Sequence, residues 1–213
     1  MGSIILFTER KCTKMSKRRT PEYVSNIREK RDSLIKPDVM NETIKIIFEE
    51  CDVKQVPVDV VKIAKQLEFD IFYGRFKSDV VYGAMWDGDK DLKLSGDHRS
   101  NRFILVNSND SKEKQTFTIA HEIGHFMMHC TSEHNFFERY HGDDEQDEQK
   151  KKLEDEADFF AANMILPSSL VLGYVMNNKY VGRTRLIKMI CEQFNAEEET
   201  VERRFNELGL EIL

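Results

Sequence analysis

The sequence predicts an α+β fold, in which a small, mostly antiparallel sheet and a helix carrying His-Glu-x-x-His are preceded by helices and followed by a helical region. Three observations predict it. Residues 69–73, 80–86 and 103–106 are short aromatic or β-branched runs, separated by Gly/Asp clusters such as Gly88-Asp89 and Gly96-Asp97. Apolar residues recur at helical spacing on both sides of those runs, as in Val58, Val61, Ile63, Ala64 and Leu67. Thr116-Phe117-Thr118-Ile119-Ala120-His121-Glu122-Ile123-Gly124-His125 sets two imidazoles and a carboxylate on adjacent turns of one helix.

Taken in order, residues 1–40 should form a tail and a helix. The tail is basic, with Arg10-Lys11, Lys14 and Lys17-Arg18-Arg19, and Pro21 opens a helix to about residue 35. Residues 41–167 are expected to form the main domain. Asn41 can cap a helix over 42–51, and Pro57 opens another over 58–67. The three strand runs follow. The last of them, 103–106, is expected at the sheet edge, where an extended peptide can pair with it. Residues 107–112 turn into the motif helix, with Asn109 or Ser111 as its cap.

On that helix His121 and His125 lie one above the other, so both rings can reach one ion at roughly 2.0–2.1 Å. Glu122, one position after the first ligand, can take a proton from water without ligating the ion, as a general base must. Phe117, Ala120, Ile123, Phe126 and Met127 form a stripe that buries the helix, and Gly124 lets a second helix come close. His129 is four residues further on. It stands about 12 Å of helical rise from His121, which makes it a supporting or core histidine rather than a third ligand.

A third ligand can come from the helix ending at Pro167, whose buried stripe is Ala157, Phe160, Ala161 and Met164. Glu154 continues the stripe, Glu156 is its rival, and Asp158 can orient a ligand histidine through the second ring nitrogen. Between the two helices runs a loop-like stretch with an acidic run at 143–148. Tyr140, His134 and His141 in this stretch are candidates to stabilise an oxyanion.

These residues resemble the ImmA/IrrE metallopeptidases: His121-Glu122-Ile123-Gly124-His125 is followed by Glu154-x-x-Ala157-Asp158-x-Phe160-Ala161 and Pro167. Asp158 stands where that family usually has Asn, and Met164-Ile165-Leu166-Pro167 where it has Leu-Leu-Met-Pro. The resemblance implies a zincin-like core, one Zn2+ per chain held by His121, His125 and Glu154, and Glu122 as the catalytic base. It also implies a site-specific endopeptidase whose substrate is a helix-turn-helix (Xre-type) repressor of a mobile element, phage or stress regulon. The alternative expectation is a zincin fold that senses metal or binds a repressor without cutting it.

Residues 168–213 read as a helical region. Segments 183–194 and 197–208, joined at Asn195-Ala196 and stopped by Gly209, look like a helix-turn-helix. Glu197, Glu198, Glu199, Glu202 and Glu207 would repel phosphates, so DNA binding is not expected. A net charge of −6 argues the same for the whole chain. Cys12, Cys51, Cys130 and Cys191 are dispersed and form no Cys-x-x-Cys pair, which fits a reducing cytoplasm. No apolar run is long enough for a signal peptide or membrane span.

Overall fold

The computed structural model describes residues 20–29, 37–75, 81–95, 98–130, 136–140 and 148–210. Its order is α1 (Glu22–Glu29), α2 (Pro37–Glu50), α3 (Val60–Gln66), β1 (Asp70–Gly74), β2 (Val81–Ser95), β3 (His98–Asn107), α4 (Lys112–Met128), β4 (Phe136–Tyr140), α5 (Glu148–Ile165), α6 (Ser168–Asn177), α7 (Arg183–Phe194) and α8 (Glu198–Glu207). The α+β class and the mostly antiparallel sheet are as expected. The basic cluster at 10–19 lies outside the described residues, as do residues 96–97.

The sheet order is β1-β3-β2-β4, with β1 parallel to β3 and the other two pairings antiparallel. This corrects the sequence reading in three places. Residues 103–106 lie in an interior strand, flanked by β1 and β2. β2 continues through Gly88-Asp89 to Ser95, with a bulge between Asp87 and Leu92 absorbing the irregularity. A side chain at Gly88 would stand 2.1 Å from the Trp86 ring, so this glycine accommodates an aromatic ring rather than a chain reversal. Residues 136–140, read as loop, form edge strand β4. Two helix starts also move: α2 begins at Pro37, and α3 begins at Val60 with Asp59 accepting from the Lys62 backbone N–H at 2.9 Å.

Burial on both faces explains why β3 is apolar from Phe103 to Val106. Ile104 and Val106 face the helices in the main core, whereas Phe103 and Leu105 join Ala84, Phe72 and Trp86 on the other face. The main core runs from Val24 and Ile47 through α4 and α5 to Leu186, Ile190, Phe194, Val201 and Phe205, so the C-terminal helices share it. Two buried arginines tie its ends together. Arg102 donates to Asp87 at 2.8 Å, Leu67 O at 3.1 Å and Thr20 at 3.0 Å, with its guanidinium 5.1 Å from the Phe126 ring centre. Arg204 donates to Leu166 O, Ser168 and Glu207.

Candidate metal centre

Ser111 caps α4, its hydroxyl accepting from the Lys114 N–H at 3.1 Å, and from Phe117 to Met128 every residue of the helix is buried. The sheet covers one side of it and α5 another. At Gly124 α5 packs close: an added Cβ would meet Phe160 atoms at 3.1–3.3 Å. That approach sets the acidic residues of α5 opposite the histidines of α4.

His121 and His125 are almost fully buried, and their Nε2 atoms are 2.9 Å apart. Glu154 completes the group, with Oε2 3.2 Å from His121 Nε2 and Oε1 3.4 Å from His125 Nε2. Among the described residues these three form the cluster able to hold a metal ion. Of the rival acids, Glu156 points elsewhere, 3.0 Å from His129 Nε2, while Asp155 is exposed. Asp158 Oδ1 is 2.8 Å from His121 Nδ1, and its other oxygen is 3.7 Å from Arg203 on α8.

The chemistry of this donor set fits a divalent cation. A carboxylate only accepts, so His121 donates its Nδ1–H to Asp158. Its Nε2 faces a second imidazole nitrogen and the Glu154 carboxylate. Burial, partly opposed by the neighbouring Glu154 carboxylate, pushes the His125 imidazolium down to about 4. Burial alone would raise Glu154, but the His121 and His125 rings beside it hold the carboxyl well below the usual range. Two imidazoles and one carboxylate, with donor atoms all within 4.8 Å of one another, make a donor set of the kind zinc takes.

Glu122 is fully buried and lies under β2, where a Cβ added to Gly83 would stand 3.4 Å from its Oε1. Phe137 of β4 stacks on His125, with ring centres 4.5 Å apart and planes 21° from parallel. Both contacts were missed in the sequence. An isolated Gly inside a strand run is the signal that could have pointed to Gly83. Of the oxyanion candidates, Tyr140 is the last residue of β4, while His134 and His141 lie outside the described residues.

Comparison with known proteins bears on family and fold. A search of curated proteins gives no significant match. Among solved structures, a Mycobacterium tuberculosis transcriptional regulator is similar, with a TM-score of 0.53 and 13% identity over 87% of this chain. The chain covers 51% of that protein, about half its length, and the likeness is one of fold. The family model for the IrrE N-terminal-like domain, peptidase M78, matches residues 76–206. The match takes in α4, α5 and the C-terminal helices, well over half of the sequence, and the chain therefore belongs to the IrrE N-terminal-like family.

Proposed function

We propose that this chain is a zinc-dependent endopeptidase that cuts a helix-turn-helix transcriptional repressor at a defined bond. The observation that carries the proposal is the convergence of His121, His125 and Glu154 with Glu122 beside them on a helix buried all round. When bound, zinc supplies a Lewis acid that polarises the scissile carbonyl and makes water a stronger acid. His121, His125 and Glu154 would hold it. A Glu122 carboxylate oxygen takes the proton from the attacking water and passes it to the leaving amine. Burial of Glu122 excludes competing solvent, and Asp158 keeps the His121 ring oriented.

The substrate is gripped as an extended chain. β4 has β2 on one side and no strand on the other among the described residues, so a peptide can add alongside it. Phe137 places this edge over His125. The sequence resemblance and the family support a repressor as the substrate.

The test is mass spectrometry of a helix-turn-helix repressor after incubation with zinc-loaded protein. Two fragments with the wild type and none with Glu122→Gln, at equal zinc content, support the proposal. Intact repressor in both reactions would refute cleavage of that substrate and favour a chain that binds it without cutting.

A further inference from the structure

Each ring that faces the candidate metal centre is held from behind, but by different means. His121 meets a carboxylate directly. His125 meets another imidazole: its Nδ1 is 2.9 Å from Nδ1 of His129, whose Nε2 is 3.0 Å from Glu156 Oε2. A contact between two Nδ1 atoms is ambiguous by itself, because either ring can donate.

For a neutral His129 ring, Glu156 decides between them. Its carboxylate only accepts, so that ring carries its proton on Nε2 and offers a lone pair at Nδ1. His125 must then donate from Nδ1, which leaves its own lone pair on Nε2, the atom 2.9 Å from His121 Nε2. We infer that His129 and Glu156 are positioning residues that fix the tautomer of His125, so that its Nε2 is the atom offered to a divalent cation. The inference rests on the reading of His121, His125 and Glu154 as the metal site.

The surroundings suit the role. His129 is buried, and Phe137, stacked on His125, leaves little room for water to replace the imidazole contact. The Glu156 side chain is only 13% exposed, and Lys152 stands 3.8 Å away. The other tautomer would put a proton on the ligating nitrogen, which an incoming ion would have to displace. Outer partners of this kind are typically worth about 10–100-fold in metal affinity.

The experiment measures zinc affinity by competition with a chromophoric chelator, and the ring-nitrogen NMR shifts of His125 in metal-free protein. It compares wild type, His129→Ala, Glu156→Leu and Glu156→Gln. The expected result is a His125 proton on Nδ1 in the wild type. In His129→Ala and Glu156→Leu, mixed tautomers and zinc binding about 10–100-fold weaker are expected. Glu156→Gln keeps an acceptor and should lie closer to wild type than Glu156→Leu. Should His129→Ala fail to fold, Glu156→Leu carries the test from a partly exposed position. Wild-type affinity and an unchanged His125 tautomer in Glu156→Leu would overturn the inference while leaving the metal site standing. A wild-type protein that takes no zinc would overturn both.

Discussion

Replacing Gly83 by alanine tests a close approach between the sheet and the motif helix. The added methyl would stand 2.4 Å from Thr118 Cγ2, 3.0 Å from Leu105 O and 3.4 Å from Glu122 Oε1. Carbon atoms in contact prefer about 3.5–4.0 Å, so the first distance is short by roughly 1 Å. The strand or the helix must move. Overpacking of this kind costs about 1–3 kcal/mol, and each kcal/mol lowers the melting temperature by about 2–4 °C in a chain of this size. Thr118→Ser removes the clashing methyl and alone should cost about 1 kcal/mol for the lost packing. The double variant should therefore be more stable than the sum of the singles predicts, by about 1 kcal/mol. Rescue should be partial, because the Leu105 carbonyl remains. Urea titration of metal-free protein at constant m measures all four corners of the cycle. A neutral Gly83→Ala, or strictly additive singles, would refute the close approach and with it the placement of Glu122 under β2.

Other outcomes follow from the same geometry. Zinc should raise the melting temperature of the wild type and not that of Glu154→Ala, with about 2.7 kcal/mol of stabilisation at a hundredfold excess over Kd. Arg102→Met should destabilise by about 3–5 kcal/mol, since it leaves Asp87 and Leu67 O without their donor. Arg102→Lys should recover little, because one ammonium cannot reproduce three divergent bonds. Metal-free protein should lose stability as pH falls from about 6.5 towards 4. His125 is held neutral by burial in the folded state and takes a proton readily once unfolded, so acid favours unfolding by up to about 3 kcal/mol. Urea midpoints at a series of pH values check the sign.

The motif helix was legible because spacing, stripe and cap all agree along residues 111–128, and α7 and α8 were legible from periodicity with Asn195 and Gly209 as stops. The third ligand was not legible from spacing. Glu154 and Glu156 are two positions apart, about 200° around a helix, and which of them meets His121 depends on how α5 crosses α4. The structure gives each an imidazole of its own, Glu154 facing His121 and His125 and Glu156 facing His129. β4 was missed because Phe136-Phe137-Glu138-Arg139-Tyr140 lacks a clean alternation. Its partner β2 was cut short because glycine in a strand reads locally as a turn, and only the bulge and the Trp86 ring explain its presence there.

The contacts from α8 back to α5 have a consequence for the order in which the candidate metal centre is assembled. Arg204 holds Leu166 O, Arg203 lies beside the carboxylate that orients His121, and Phe205 sits in the shared core. On a ribosome the polypeptide emerges amino end first, so the histidines are exposed to the cytosol well before the segment that braces them. A nascent chain halted ahead of residue 198 would carry His121, His125 and Glu154 yet lack that brace. The candidate metal centre would then be completed late in translation, and a frameshift or nick between α7 and α8 would remove its support without touching any of those three residues.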